Sequence, residues 1–210
     1  MARIVKKASD RKAEIVSTAR RLFQTQEYDK TSMQDIMDAL GIAKGTIYHY
    51  FTSKEALLEA VIDDIVEKNI QQMQTRLKNA SGNALQKMEL LVKANNMAAD
   101  NKDILDHLHK PGNDAMHSRL LAATLVKLSP LYAELIQQGC DEGIFKTDTP
   151  LECAEFILSA IQFLTDMGIY PWTKEDLNRR IQAFPKLIEQ QLRASPGSFQ
   201  FLIKYMNVIS

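Results

Sequence analysis

Apolar residues recur along this chain at the three-to-four-residue spacing of a helix and almost nowhere at the alternation of a strand. Ile15, Ala19, Leu22 and Phe23 fall at i, i+4, i+7 and i+8, which gives a first helix one apolar face, and Ser9 or Asp10 can cap its start. Tyr28-Asp29-Lys30 reads as a connector. Thr31 and Gln34 have capping-box spacing, so a second helix is expected from near Ser32 to Leu40, with Ile36 and Leu40 inward. Gly41 can take the left-handed conformation that ends it. A third, short helix is expected from Lys44 to Tyr50, with Ile47 and Phe51 inward.

Thr52 or Ser53 can cap a long fourth helix whose apolar face carries Leu58, Val61, Ile62, Ile65, Val66, Met73 and Leu77, stopped at Ser81-Gly82-Asn83. Helices then fit about 84–99, 103–109, 113–128 and 130–142, with Pro111-Gly112, Pro130 and Gly139 to Gly143 as breaks or kinks. Thr147-Asp148-Thr149-Pro150 opens a helix to about Met167, and Thr173 opens another to about Leu192, bent at Pro185. A last short helix carries Phe199, Leu202, Ile203 and Met206. The fold class expected is all-α.

The chain has 210 residues and no net charge, but the charge is unevenly placed. Residues 1–54 hold ten Lys and Arg against six Asp and Glu, and residues 55–210 hold sixteen against twenty, so a head of +4 precedes a body of −4. A basic head on an acidic body suits a molecule whose head alone meets a polyanion. The domain boundary is therefore drawn at 54, giving domains 1–54 and 55–210.

Within that head, a short helix projecting a few polar side chains beside a capped partner helix is how a helix-turn-helix meets the major groove. Ile47 anchors it. Lys44 supplies a cation, Thr46 a hydroxyl and a methyl, and Tyr48 and Tyr50 phenols, with His49 on the same short helix. Gly45 lets backbone approach a phosphate or the preceding helix closely. Lys54 adds a cation beside the exposed N–H groups that open the fourth helix. Taken by spacing alone, the aromatics can equally be core and the lysines solvated surface.

Residues 31–58, with Gly41, Lys44-Gly45-Thr46, Tyr48, Phe51 and Ser53-Lys54-Glu55 in register, closely resemble the TetR family of bacterial transcriptional regulators, and Ile15 to Phe23 match its first helix. The resemblance covers about residues 9–60. It implies a homodimer on an inverted-repeat DNA operator, usually repression, and release by a ligand held in the C-terminal body. It also implies that Thr31, Thr46, Tyr48, Tyr50 and Lys54 meet phosphates, while Lys44, Thr46 and His49 lie nearest the bases. Two positions depart from the family pattern. Leu40 stands where a smaller residue is common. Ala43 replaces a Ser or Thr whose hydroxyl would cap the third helix, a loss of about 1 kcal/mol.

In the body, helix 150–167 is apolar on more than one face, which in a modest domain points to a second subunit. A homodimer interface is expected from Phe156, Ile157, Ala160, Ile161, Leu164, Leu177, Ile181, Phe184 and Ile188. A central helix of a monomer is the other reading. Pocket liners for a small apolar or amphipathic effector are sought among Met73, Met88, Leu91, Met97, Leu105, Met116, Leu121 and Leu125, since methionines adapt to varied shapes. Each can also be ordinary core.

No metal or cofactor is expected. His107 and His109 stand two apart, so on a helix they diverge, and no Cys pattern joins them or His117. Cys140 and Cys153 do not make a disulfide framework. No nucleophile elbow, phosphate loop, HExxH or paired carboxylates point to an enzyme. The N-terminus lacks a signal-peptide hydrophobic stretch, and the run from Phe156 to Leu164 is too short to span a bilayer, so a cytoplasmic protein is expected. The function expected is a ligand-responsive DNA-binding repressor. The alternative is a DNA-binding regulator with no small-molecule effector.

Overall fold

The computed structural model describes residues 7–96, 109 and 112–206. Among the described residues there are nine helices and no strand: α1 (Ala8–Gln26), α2 (Met33–Leu40), α3 (Lys44–Tyr50), α4 (Lys54–Lys78), α5 (Ala84–Asn96), α6 (Asp114–Asp141), α7 (Pro150–Thr165), α8 (Lys174–Leu192) and α9 (Phe201–Met206). The helix expected over 103–109, and with it Leu105 and His107, lies outside the described residues apart from His109; so does Met97.

Two compact units emerge. One comprises Met1–Glu67 and Ile104–Leu120, the other Lys68–Asp103 and Leu121–Ser210. Both α4 and α6 thus contribute to each unit, whereas the boundary expected from charge falls at the start of α4.

In the first unit the predicted inward face of α1 is buried: Ile15, Ala19 and Phe23 have no exposure at all. Ile36 of α2, Ile47 of α3, and Leu57, Leu58, Val61 and Ile62 of α4 are equally enclosed. Each such Val, Leu, Ile or Phe side chain is worth about 1.5–3 kcal/mol against its exposed state. Leu40, expected inward, is only half-buried. In the second unit α8 packs against α7 and α9, and α9 against α5. Its core includes Met88, Leu91, Leu135, Ile136, Phe145, Phe184, Leu192 and Phe199.

Local chemistry explains where boundaries differ from expectation. Helix α1 begins at Ala8, with Lys7 at the cap position and no side-chain cap, rather than at Ser9 or Asp10. The box that starts α2 is Ser32 with Asp35, not Thr31 with Gln34. Both pairs have the spacing, but a carboxylate accepts an N–H more strongly than an amide and gains from the helix dipole. Ser53 caps α4, its hydroxyl accepting the Ala56 N–H at 3.2 Å.

The helices expected over 113–128 and 130–142 are one continuous helix, α6, with Pro130 inside it. A proline there deprives Val126 of its hydrogen-bond donor, but Val126 is 70% exposed, so water can serve that carbonyl. Ser129 meanwhile donates its hydroxyl to the Leu125 carbonyl at 2.7 Å. One stretch of α6 matches a membrane span in length and composition, yet its Leu131, Leu135 and Ile136 are buried in the core. Gly139 is helical rather than a break, and the reversal comes at Gly143, with φ 72°. Helix α7 ends at Thr165, where the Asp166 carboxylate accepts the N–H groups of Gly168 (2.7 Å) and Ile169 (3.1 Å). Helix α8 runs through Pro185.

Candidate nucleic-acid interface

Helix α2 is fixed at both ends. At its start the Asp35 carboxylate accepts the Ser32 N–H at 2.7 Å while the Ser32 hydroxyl oxygen accepts the Asp35 N–H at 3.2 Å. The Ser32 hydroxyl, which donates to the same carboxylate at 2.7 Å, and then the Ser32 N–H hold the Asp35 carboxyl below its ordinary range. At its end Gly41 adopts φ 62°, donating to the Asp38 carbonyl at 3.3 Å, and Ile42 donates to the Met37 carbonyl at 3.1 Å. A β-carbon is strained at that φ by about 1–2 kcal/mol, so the tight turn into α3 favours glycine.

Helix α3 follows from Ala43, which is extended and, lacking a hydroxyl, offers no cap. Its first turn closes through Thr46 N–H to the Ala43 carbonyl at 2.9 Å. Ile47 roots it in the core, leaving Lys44, Tyr48 and His49 exposed and Thr46 and Tyr50 half-buried. The Lys44 ammonium lies 5.6 Å from the centre of the Tyr48 ring, and His49 meets Tyr50 edge-on at 5.0 Å. A β-carbon on Gly45 would meet nothing within 4 Å. Its bareness therefore does not serve packing against α2; what it leaves open is approach from outside.

Lys54, at the start of α4, has its ammonium 4.1 Å over the Tyr28 ring and donates to the Asp29 carbonyl at 3.4 Å. It is half-buried, its stem held down while its remaining N–H groups are unspoken for by these two contacts. Six of the eight residues predicted to meet DNA lie on α3, and Lys54 stands four residues beyond its end. Thr31 does not join them. It is 1% exposed, and its hydroxyl donates to the Glu27 carbonyl at 2.7 Å. Sequence reading missed Lys12, whose ammonium sits 5.8 Å from the Phe51 ring behind α3. It also missed Asn113, which lies far away in the chain.

The turn that carries Tyr28 is strained. Glu27 has φ 70° and ψ 148°, a region almost reserved for glycine and costing about 1–3 kcal/mol for other residues. Its carboxylate pairs with Lys30 at 2.6 Å. The Tyr28 N–H donates to the Asn113 side-chain oxygen at 2.6 Å, and the Asp29 N–H donates to the Gly112 carbonyl at 3.1 Å. Burial, and then the Glu55 carboxylate, push the Tyr28 phenol above its ordinary range.

A capped α2, a glycine turn and a short α3 with an outward polar face make the arrangement of a DNA-reading head, and comparison with known proteins names it. Residues 15–61 match the family described as bacterial regulatory proteins, tetR family, and residues 93–187 match the tetracyclin repressor-like C-terminal domain. The chain belongs to the TetR family. It is 41% identical over 59 residues to the HTH-type transcriptional regulator EthR of Mycolicibacterium smegmatis, a match spanning 28% of this chain and 27% of that one. It is 27% identical over 153 residues to the HTH-type transcriptional repressor KstR2 of Rhodococcus jostii, spanning 70% and 73%. The same fold is found in a TetR-family regulator from Pectobacterium atrosepticum, with TM-score 0.62, 20% identity and 90% and 96% of the two chains covered. It recurs in the fatty acid degradation regulator FadR from Bacillus halodurans, with TM-score 0.60, 21% identity and 90% and 100% covered. The protein is thus a DNA-binding transcriptional regulator of a family whose members typically respond to ligands and usually act as dimers.

The remaining predicted TetR-family sites are less concentrated. Met73, Met88 and Leu91 are buried in the core of the second unit, Leu121 and Leu125 are half-buried there, and Met116 is buried in the first unit. A polar groove along α4 is lined by Lys68, Gln71, Gln72, Thr75 and Arg76, none of them predicted. Of the predicted interface residues, Ile181, Phe184 and Ile188 are buried in the protomer's own core, whereas Phe156 is 66% exposed. Ile157, Ala160, Ile161, Leu164 and Leu177 are half-buried. Phe163 and Leu187, which were not predicted, are also exposed, at 54% and 57%. Cys140 is half-buried, Cys153 is buried, and both are free thiols.

Proposed function

We propose that this protein binds an inverted-repeat operator as a homodimer, represses transcription there, and is released by a small apolar or amphipathic molecule. It does so in the cytoplasm and without catalysing a reaction. The observation that carries the reading is the outward face of α3: Lys44, Tyr48 and His49 stand exposed on a helix rooted by the fully buried Ile47. Lys44, Tyr48, Tyr50 and Lys54 supply groups suited to phosphates, and Thr46 and His49 to base edges. Gly45 admits the backbone of the duplex. Thr31 supports these from within the fold.

Phe156, Phe163 and Leu187 supply the apolar area a second copy would cover, together with the half-buried Ile157, Ala160, Ile161 and Leu164. An effector that takes the operator from nearly full to nearly empty must favour one state about 10,000-fold, or about 5.5 kcal/mol. The likeness to a fatty acid degradation regulator supports an apolar effector. The alternative reading is a DNA-binding regulator without a small-molecule effector, and a thermal-shift screen followed by operator-release assays separates the two cases.

The test is selection of bound sites from random duplex DNA. A palindrome with half-sites about 34–36 Å apart, one helical turn, is expected. Recovery of no enriched sequence, with the folded protein ignoring duplexes at low ionic strength, overturns the reading.

A further inference from the structure

Asn113 is polar yet 1% exposed, and its side-chain oxygen is committed to the backbone N–H of Tyr28, 85 residues away in sequence. The neighbouring Gly112 carbonyl takes the next N–H, that of Asp29. Residues 112–113 therefore clasp two consecutive N–H groups of one turn. That turn needs a clasp, because Glu27 before it sits in a conformation unfavourable for any residue but glycine. The two clasped residues are the same two that hold Lys54, by the Tyr28 ring beneath its ammonium and the Asp29 carbonyl beside it. All of these groups belong to one compact unit.

We propose that Asn113 is a positioning residue for DNA binding: it fixes the Tyr28–Asp29 turn, and through that turn it holds the Lys54 ammonium ready for a phosphate. The inference rests on the reading of Lys54 as a phosphate contact. A lysine side chain is long and rotamer-rich, so ordering it at the moment of binding opposes association, and a chain already ordered by a ring and a carbonyl escapes much of that. With the clasp gone, Glu27 can relax toward an ordinary conformation. Tyr28 and Asp29 then shift, and Lys54 becomes a free surface cation.

The experiment compares Asn113→Ser, Lys54→Ala and the double variant in the full chain. Serine opens a helix as well as asparagine does, so it preserves the start of α6, but its hydroxyl is one bond too short to serve Tyr28. Asn113→Asp, which keeps an oxygen at the original reach, is the conservative control. Binding of a labelled random-sequence duplex is followed by anisotropy across a salt series, with thermal melting of each variant. Asn113→Ser is expected to weaken binding about fivefold at low salt and to lower the salt slope by about one per protomer, as loss of one phosphate contact does. In the Lys54→Ala background it should add less than twofold. Asn113→Asp should bind within about twofold of the original chain. An unchanged salt slope in Asn113→Ser, or an equal loss with and without Lys54, overturns the proposal. If Lys54→Ala leaves the slope unchanged while the original chain binds normally, the Lys54 reading falls and the clasp role with it. If the original chain binds no duplex at all, the DNA reading itself falls.

Discussion

Ser32 and Asp35 bind each other reciprocally: one oxygen of the Asp35 carboxylate accepts both the N–H and the hydroxyl of Ser32 at 2.7 Å, and the Ser32 hydroxyl oxygen accepts the Asp35 N–H at 3.2 Å. A single pair thereby serves two of the donors that open α2 and sets where the helix begins. That start determines the register of α2, and through the Gly41 turn the direction in which α3 leaves.

Ser32→Ala should therefore cost about 1 kcal/mol of stability, read by urea unfolding at neutral pH. It should also change the acid limb. The Asp35 carboxyl is held low chiefly by the Ser32 hydroxyl and then by its N–H, so the contribution is present above the unfolded pKa of about 4 and is lost as pH falls through the lower folded value. The Ser32→Ala chain should lose stability less steeply below about pH 4. Parallel acid limbs in the two chains would show that the pair contributes nothing to linkage.

Thr31 offers the sharpest contrast between resemblance and structure. Its hydroxyl is turned to the Glu27 carbonyl at 2.7 Å and the residue is 1% exposed. Thr31→Val keeps the shape and removes the bond. It should cost about 0.5–1.5 kcal/mol in unfolding while leaving the salt slope of DNA binding unchanged. A slope reduced by about one would return Thr31 to the list of phosphate contacts.

The helices of the first unit were legible because apolar period, glycine turn and cap residues agree there. Ile15 to Phe23, Gly41 and Ile47 each admit one local solution. Spacing alone did not separate Thr31–Gln34 from Ser32–Asp35; the stronger acceptance of the Asp35 carboxylate and the burial of Thr31 do. Pro130 read as a break because the sequence does not show that Val126 faces water. Asn113 was invisible for a different reason: its partner is a backbone N–H 85 residues away, and no side-chain pattern records that. In the second unit, apolar residues that serve the protomer's own core look the same in sequence as residues left for a partner. Ile181 and Phe184 are buried in the protomer, whereas Phe156 and Leu187 stand exposed on it.

Gly139 tests the packing of the second unit. A β-carbon built there would collide with Cδ2 of Phe145, a ring that is 4% exposed and stacks on Phe199 at 5.7 Å. The ring cannot swing into solvent without opening the core. Gly139→Ala gains helix propensity but forces that contact, and overpacking of this kind costs about 1–3 kcal/mol. The melting temperature should fall by roughly 2–4 °C for each kcal/mol in a chain of this size. An alanine variant as stable as the original would mean that Phe145 has room to move.

Phe156 and Leu187 are the residues that test the proposed dimer. Both are large, apolar and more than half exposed on the single chain, at 66% and 57%. Burying either against a second copy is worth up to about 1.5–3 kcal/mol per side, and twofold symmetry counts every such contact twice. A carboxylate at the same place would be desolvated without a partner. Phe156→Glu and Leu187→Glu should therefore convert a dimer into a 23.8 kDa protomer in sedimentation at micromolar concentration. Because neither side chain belongs to the protomer's own core, the helical circular-dichroism signal should persist. Operator affinity should fall steeply, since the two α3 helices would no longer bind as one unit. If both variants sediment as the unaltered chain does, the dimer is built from some other surface.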